Sequence, residues 1–282
     1  MRALLKYNPV TVAVYNVFLT SRCRSVDAYV FVATTGRSGS ESLSRILAGV
    51  DGAVCYHEPY PIMYNDCPDG TDPQKYFARN FSKIKRINIR RSAAGYRYYV
   101  ETNHQFIKNF SSLAVTHFRK KIKIIHLVRR AEAVAGSFYS IGSIPGQTRT
   151  GRIYLLDPRS DDNRIQMADL LYADTRFQHD FFKCLWYWYE VETRFKEFLA
   201  SNPDIPWIEM RTSDLNKKDA LLEMVAKLEI KVDPRRIESL VGTHCNRKTS
   251  AKSREIPLEQ GAEMNRMLLD RMEQRYGKGF WR

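Results

Sequence analysis

Two apolar runs dominate the hydrophobic pattern of the chain, and each is followed by a segment with helical periodicity. The runs are Ala28 to Thr35 (AYVFVATT) and residues 123–128 (KIIHLV), both of strand length and rich in β-branched side chains. Consecutive apolar positions are typical of strands that are covered on both faces in a parallel sheet. Gly36 ends the first run, and AEAVAGSFYSI follows the second. The pattern therefore predicts two strand-to-helix units about ninety residues apart, as in layered α/β structure.

Further elements are predicted between and after these two units. The segment YYVETN at Tyr98 predicts another strand, Gln178 to Leu199 a long aromatic-rich helix, and Pro206 to Met210 a short strand. The stretch from Gly142 to Arg164 is rich in Gly, Pro, Asp and Arg without periodicity, so it is predicted to be a loop. A loop of that length in a compact domain is typical of a lid or an acceptor-binding element, with disorder as the alternative.

The organisation that follows is one α/β domain over residues 1–282, with three layers in which helices flank a central parallel sheet. Residues 1–26 are its N-terminal extension, and residues 142–164 are the lid or acceptor loop. The segment from Pro9 to Thr20 is only partly apolar and falls short of the ~20 apolar residues of a bilayer span. We expect it to be a packed element of a cytoplasmic protein without a transmembrane segment, with a degraded membrane anchor as the alternative.

The charge balance favours anionic partners. The 282 residues include 45 Lys and Arg against 31 Asp and Glu, which gives a formal net charge of +14. The composition excludes disordered and fibrous chains, and the positive field raises the encounter rate of phosphate, sulfate, acidic glycans and nucleic acid. The five cysteines are scattered without metal-ligand spacing, so no structural zinc site is expected. Free thiols are the prediction, with a single bridge between Cys55 and Cys67 as the alternative.

The loop after the first predicted strand carries candidate anion-binding chemistry. Its sequence is Gly36-Arg37-Ser38-Gly39-Ser40-Glu41-Ser42. Free backbone N–H groups at a helix N-terminus, the positive end of the helix dipole and small residues all favour an oxyanion. Arg37 adds a guanidinium, whereas the spacing and the lysine of a Walker A loop are missing. Taken alone, the loop fits either a phosphate or sulfate site or a glycine turn with a helix cap.

The second unit presents a matching pair of residues. Arg129 lies at the carboxyl end of its strand, and Ser137 lies eight positions later in the following helix. In open α/β sheets, nucleotides bind in the crevice at the carboxyl ends of neighbouring strands. An anion site at each of two strand ends predicts a ligand with two separated anionic groups. A solvated basic strand end is the alternative for Arg129 and its neighbour Arg130.

Together these residues resemble the sulfotransferase superfamily, which uses 3′-phosphoadenosine-5′-phosphosulfate (PAPS). The segment TTGRSGSESLSRIL resembles the family's 5′-phosphosulfate loop, and KIIHLVRRAEAVAGSFYS resembles its 3′-phosphate element. The likeness spans at least Tyr29 to Ser140, and FKCLWYWYEVETRF and PWIEMRTSDL match more weakly. It implies the P-loop-NTPase-like sulfotransferase fold and transfer of a sulfuryl group from PAPS to an acceptor hydroxyl, on a carbohydrate, another small molecule or a protein tyrosine. The second product is 3′-phosphoadenosine-5′-phosphate (PAP).

The resemblance also implies roles for the loop residues. Arg37 would neutralise the sulfuryl group and the bridging oxygen, and the backbone amides of residues 38–42 would hold the 5′-phosphate. Arg129 and Ser137 would bind the 3′-phosphate, which distinguishes this donor from ATP. Glu41 stands where the family usually has Thr or Ser, so an outward Glu41 would preserve the site and an inward one would weaken donor binding. No metal is expected, because cationic side chains do the neutralising.

Three residues are candidates for the base that takes the acceptor's proton. Glu58, in Cys55-Tyr56-His57-Glu58-Pro59, resembles the Glu of carbohydrate and tyrosyl-protein sulfotransferases. His104 falls roughly where cytosolic members place their catalytic His, although their flanking Lys is missing. His57 adjoins Glu58 and would orient it or be structural. Glu58 is the first choice.

The C-terminal basic residues and the acceptor class are assigned on weaker sequence signals. Arg247 and Lys248 would close over the 3′-phosphate, as a basic C-terminal loop does in the family, with solvated charge as the alternative. The net charge and the basic run from Lys83 to Arg97 weakly favour an acidic or glycan acceptor. The competing functions are a P-loop kinase or NTPase, a nucleic-acid-binding module driven by counterion release, and a catalytically silent relative that keeps the nucleotide site. If the chain is a sulfotransferase, no nucleic-acid partner is expected.

Overall fold

A five-stranded sheet organises the part of the chain that the computed structural model describes, which is residues 17–68, 70–233, 235–236 and 254–280. Its strands are β1 (Ala28–Ala33), β2 (Ala53–His57), β3 (Tyr98–Thr102), β4 (Ile122–Val128) and β5 (Trp207–Arg211). They pair in the order β2-β3-β1-β4-β5, and every pairing is parallel. The predicted α/β class with a central parallel sheet is confirmed.

Helices connect the strands. They are α1 (Ser40–Ala48), α2 (Pro73–Asn80), α3 (Arg86–Ala93), α4 (Ser111–Phe118), α5 (Ala131–Ser140), α6 (Arg149–Tyr154), α7 (Ala168–Ala173), α8 (Asp180–Ser201), α9 (Lys218–Lys227) and α10 (Leu258–Tyr276). A π-helical turn, Phe81–Lys85, joins α2 to α3, and a second, Phe106–Phe110, precedes α4. Short 3-10 turns are formed by Arg119–Lys121 and Thr212–Asn216, and residues 17–22 are helical.

The central strand β1 explains the layering. All six of its side chains are buried, as its unbroken apolar run predicts. Tyr29 and Phe31 pack into a core with α5 and α8, whereas Val30 and Val32 pack into a second core with α1 and α9. Each fully buried Val or Phe contributes roughly 1.5–3 kcal/mol of burial free energy, so both faces must be covered. The three predicted layers are confirmed.

The connections after β1 and β4 create a crevice. The two strands are neighbours, with Ala33 opposite His126 near their carboxyl ends. Helix α1 follows β1 onto one face of the sheet, and α5 follows β4 onto the other. A crevice opens between neighbouring parallel strands whose helices leave on opposite faces. The loops after β1 and β4 both line it.

The predicted strands and helices lie where the hydrophobic pattern places them, but the stretch 142–164 differs from the prediction. It contains the short helix α6, which Thr148 caps by accepting a hydrogen bond from the Gly151 N–H. Gly151 lies so close to the Ile144 carbonyl oxygen that a side chain would collide with it. Six residues with an interior glycine carry too little periodicity to reveal a helix in the sequence.

The cysteines and the N-terminal segment complete the comparison. Cys55 and Cys67 are both free thiols, so the alternative of a bridge between them is wrong. Most of the segment from Pro9 to Thr20 lies outside the described residues. Of the helices that the structure describes, none combines the length and the apolar character needed to cross a bilayer.

Candidate active site

The loop after β1 turns through three residues with a left-handed backbone. The φ angles are 84° at Gly36, 57° at Arg37 and 90° at Gly39. Gly39 is the N-cap of α1, and the first N–H groups of a helix have no acceptor within the helix. These donors, with the positive end of the helix dipole, lie at the crevice. The local geometry therefore suits an anion of phosphate or sulfate size.

The hydroxyl groups next to this turn hold the loop in shape. Ser38 is fully buried, and its Oγ lies 3.2 Å from both the Gly36 carbonyl oxygen and Thr35 Oγ1. The Ser38 carbonyl oxygen accepts a hydrogen bond of 2.8 Å from Thr212 Oγ1. The Ser38 hydroxyl thus stabilises the turn.

Arg129 and Ser137 contact this same loop. Arg129 Nη1 donates to the Arg37 carbonyl oxygen at 2.9 Å, and Arg37 Nε donates to Ser137 Oγ at 2.8 Å. Trp188 of α8 fixes the end of β4 by donating from its indole nitrogen to the Arg129 carbonyl oxygen at 2.9 Å. The structure therefore brings the residues of both predicted anion sites into one crevice.

The two guanidinium groups leave this crevice strongly positive. In the described part of the chain, neither Arg37 nor Arg129 forms an ion pair with a carboxylate. Partial burial lowers the pKa of Arg129, and the nearby Arg37 charge lowers it further. An anion in the crevice would relieve this repulsion.

Glu41 points away from the loop. Its carboxylate forms an ion pair of 3.0 Å with Arg45, one turn further along α1, and both side chains are substantially exposed. An acidic residue in the first turn also interacts favourably with the helix dipole. In this outward orientation, the Glu41 carboxylate does not repel an anion at the loop.

Two of the base candidates meet beside the loop. Glu58 Oε1 lies 3.4 Å from His104 Nε2, although 46 positions separate the residues in sequence. The Glu58 side chain is 28% exposed, whereas that of His104 is 8% exposed. A Cβ on Gly36 would lie 3.1 Å from His104 Nδ1, so the imidazole packs directly against the anion loop. Glu58 itself has a φ of 49°, and a left-handed backbone at a non-glycine residue is often found at functional sites.

Comparison with known proteins supplies a match at the level of structure. No family model and no curated protein matches the chain. The fold is similar to that of the sulfotransferase STF1 from Mycobacterium tuberculosis H37Rv, with a TM-score of 0.50 and 12% identity over 88% of this chain and 77% of that one. The chain has the sulfotransferase fold. Two further structures align less closely. The sulfotransferase domain from the curacin biosynthetic pathway has a TM-score of 0.48 and 14% identity over 89% of this chain and 97% of that one. The sulfotransferase domain from the Synechococcus PCC 7002 olefin synthase has a TM-score of 0.46 and 12% identity over 86% of this chain and 94% of that one.

Within this sulfotransferase fold, a buried lysine stands behind the base candidates. Lys108 Nζ lies 3.3 Å from His104 Nδ1, and it donates to the Tyr154 carbonyl oxygen at 2.6 Å and to the Tyr187 hydroxyl at 3.0 Å. Tyr187 in turn donates to the Thr35 carbonyl oxygen at 2.8 Å. Sequence reasoning missed Lys108 and Tyr187. The spacing of four between His104 and Lys108 was the available signal for the first; nothing in the pattern marks Tyr187 among its aromatic neighbours.

Tyr154 brings the predicted lid segment, residues 142–164, close to the base candidates. The Tyr154 and Tyr64 rings meet edge to face with centroids 4.7 Å apart, and both residues are half-buried. Asn65 ties the two loops together, because its N–H donates to the Ile153 carbonyl oxygen at 3.0 Å and its Nδ2 to the Leu155 carbonyl oxygen at 2.7 Å. Charge on Glu58 contributes to raising the pKa of Tyr64, after burial and Tyr154. Tyr64 therefore lies near the candidate base Glu58, and the Tyr154 ring lies between Tyr64 and His104, with its centroid 6.4 Å from that of the imidazole.

The remaining predicted residues lie elsewhere or outside the described chain. His57 turns to β3, where its Nδ1 lies 2.9 Å from Thr102 Oγ1 and 3.1 Å from the Thr102 carbonyl oxygen. Arg247 and Lys248 fall outside the described residues. In the residues that are described, no three His, Cys, Asp or Glu side chains converge as metal ligands would.

Proposed function

We propose that this protein is a sulfotransferase that moves a sulfuryl group from PAPS to the hydroxyl of an acceptor. The observation that carries the proposal is the contact chain from Arg129 through Arg37 to Ser137 in a crevice of the sulfotransferase fold. Two cationic side chains and a helix N-terminus suit a ligand that bears several anionic groups.

The donor assignment follows from the two halves of the crevice. The backbone amides after Gly39 bind the 5′-phosphosulfate, with Arg37 over the sulfuryl group. Arg129 and Ser137 bind the 3′-phosphate. A kinase or NTPase would use a loop lysine and Mg²⁺ at the first site and would have no use for the second. The absence of that lysine between Gly36 and Ser42 favours PAPS over ATP.

The reaction needs charge stabilisation and a base. The acceptor oxygen attacks sulfur, the bond from sulfur to the bridging phosphate oxygen breaks, and PAP leaves. Arg37 stabilises the negative charge that develops on the sulfuryl and bridging oxygens. Glu58 takes the hydroxyl proton, because its carboxylate is partly exposed while the neighbouring imidazole of His104 is buried behind it.

The surroundings of Glu58 favour an acceptor with a flat or apolar face. Tyr64, whose pKa the Glu58 charge helps to raise, and Tyr154, which packs edge to face against it, offer half-buried aromatic rings on this side of the site. Aromatic rings of this kind pack against the C–H face of a sugar or against a phenol. A carbohydrate, another small hydroxyl compound and a tyrosyl peptide are therefore the acceptor classes to test.

Radiolabelled PAPS offered with N-acetylglucosamine, 4-nitrophenol or an acidic tyrosyl peptide tests this function. We expect labelled product with at least one acceptor and a loss of about 10²–10⁴-fold in turnover for Glu58→Gln. His57→Gln is the matched control, because its ring contacts Thr102, and it is expected to retain most of the rate. Full turnover by Glu58→Gln would contradict its role as the base.

A further inference from the structure

Lys108 occupies a buried position that the proposed reaction does not yet use. Its side chain lies between three elements: His104 beside the base, Tyr154 of the segment 142–164, and Tyr187 of α8. The residue is 8% exposed. No carboxylate in the described part of the chain lies within ion-pair distance of its nitrogen, which contrasts with the buried Lys85 and its contact of 2.6 Å to Glu101.

The hydrogen-bond partners of Lys108 account for two N–H donors. The Tyr154 carbonyl oxygen can only accept a hydrogen bond. The Tyr187 hydroxyl gives its own proton to the Thr35 carbonyl oxygen, so its oxygen accepts from Lys108. The remaining direction of Lys108 Nζ points to His104 Nδ1 at 3.3 Å. One of these two nitrogens must donate and the other must accept.

The neighbour Gln105 decides between them. Its Nε2 donates to the Tyr154 carbonyl oxygen at 3.0 Å, and this oxygen can only accept. Its Oε1 lies 3.1 Å from Asn109 Nδ2, which has shorter contacts of 2.8 Å to the Met63 carbonyl oxygen and to Asn65 Oδ1. This fixes the amide with Nε2 3.2 Å from His104 Nε2, where it donates. The imidazole therefore carries its proton on Nδ1, directed at Lys108, and Lys108 accepts it as an uncharged amine.

The electrostatic surroundings agree with this assignment. Burial holds the pKa of Lys108 well below its usual range; Glu58 opposes that shift and Arg194 adds to it. Burial also holds the pKa of His104 well below its usual range; a charge on Lys108 or on His57 would lower it further, and a hydrogen bond to the Thr35 backbone opposes the shift. Burial keeps the Tyr187 hydroxyl protonated by raising its pKa. Glu58 is the acidic group that faces this cluster.

We propose that Lys108 is a neutral amine that receives the acceptor's proton through His104. Glu58 takes the proton from the hydroxyl and passes it to His104 Nε2, which gives up its hydrogen bond from Gln105 Nε2, and the Nδ1 proton moves to Lys108 Nζ. The carboxylate is regenerated, the imidazole stays neutral with its proton on Nε2, and Lys108 becomes an ammonium. The relay rests on the proposed function. Because Lys108 acts through His104, it is a positioning residue and not a catalytic one.

The protonation state of Lys108 can be measured without any turnover. In full-length protein with labelled lysine side chains, we expect the Lys108 resonance at neutral pH to be that of an uncharged amine, because burial holds its pKa well below the usual range. Lys183 is the matched control, because it is also buried but forms an ion pair of 3.2 Å with Asp180. The two resonances are compared at neutral pH. An ammonium at Lys108 under the same conditions would overturn the proposal.

Two substitutions test the relay itself, with release of sulfate from PAPS to water as the reaction. Lys108→Met removes the amine, and Lys108→Arg supplies a cation that cannot give up its proton. We expect both to slow the reaction by about 10²-fold while PAP affinity stays within about twofold. A Lys108→Arg variant at the wild-type rate would show that Lys108 acts as a cation and would contradict the relay.

The outcomes separate the relay from the proposed function. A charged Lys108 in a protein that transfers sulfuryl groups contradicts the relay alone. A neutral Lys108 in a protein that binds no PAP and releases no sulfate contradicts the proposed function. If Lys108→Met and Lys108→Arg do not fold, the titration of the wild-type protein decides the matter.

Discussion

Arg129 donates a hydrogen bond of 2.9 Å to the backbone carbonyl oxygen of Arg37, so cationic residues from two strand ends lie in direct contact. Their positive charges oppose each other, and the pKa of Arg129 is lowered in part for that reason. Such an arrangement is stabilised when an anion lies between or beside the two groups. The contact exists because β1 and β4 are neighbours in the sheet.

Gly36→Ala is expected to damage the site by two effects. A non-glycine residue at a φ of 84° costs about 1–2 kcal/mol, and the added Cβ would also lie 3.1 Å from His104 Nδ1. Gly95→Ala is the matched control, because its φ is 92° and its Cβ would meet open space. Both variants should lose stability in urea unfolding, but only Gly36→Ala should lose turnover. Equal turnover in the two variants would argue against a role for the His104 contact.

Arg37→Ala should lower the rate of PAP formation from PAPS by about 10²–10³-fold, because charge stabilisation of the transition state is lost. Arg37→Lys keeps the charge but not the 2.8 Å contact from Nε to Ser137, so an intermediate rate is expected. Arg45→Ala, whose partner is Glu41 at 3.0 Å, serves as the control. A wild-type rate in Arg37→Ala would remove Arg37 from the mechanism.

Tyr187→Phe should lower both stability and turnover. The substitution leaves the buried Thr35 carbonyl oxygen without its 2.8 Å donor and takes one acceptor from Lys108, which costs about 1–3 kcal/mol of unfolding free energy. Tyr189→Phe on the same helix removes the 2.7 Å contact to Asn265, away from the base. It should lose stability but keep its turnover. Similar losses of turnover in both variants would mean that the Tyr187 effect is only structural.

The ion pair between Asp169 and Arg275 should make stability depend on acid pH. The Arg275 side chain lowers the pKa of Asp169 from 3.8 to about 2. A depressed carboxyl pKa contributes stability above the unfolded pKa, and that contribution is lost as pH falls from about 4 to about 2. Both side chains are exposed, so the effect is small, at most ~1 kcal/mol. Thermal unfolding of Asp169→Asn should show a flatter pH dependence than the wild type over this range; identical curves would contradict the assignment.

The sequence predicts the layers of this fold better than its base site. An apolar run such as Ala28 to Thr35 has few alternatives to a buried strand. Because Gly36 and the start of a helix follow directly, the loop is predicted at the carboxyl end of that strand. The meeting of Glu58 with His104 depends on the order of β2 and β3 in the sheet, which periodicity does not encode. The sequence therefore predicts Glu58 and His104 as alternative bases, whereas the structure places them in contact.

The burial of Lys108 and the helix within residues 142–164 could not be predicted, for a different reason. A lysine is normally exposed, and its burial here follows from tertiary contacts with Tyr154 and Tyr187 that come from distant parts of the chain. Helix α6 is short and contains Gly151, which local propensity places in a turn. Tertiary packing decides the outcome in both cases.

The central claim is that the crevice binds a nucleotide with phosphates at both the 3′ and 5′ positions. Calorimetric titration with PAP, AMP and ATP tests it directly, in the wild type, in Arg129→Ala and in the control Arg130→Ala, whose side chain is 81% exposed. The account predicts that the wild type and Arg130→Ala bind PAP at least ~10²-fold more tightly than AMP or ATP, and that Arg129→Ala loses this preference. Equal affinity for PAP and AMP in the wild type, or an undiminished preference in Arg129→Ala, would contradict it.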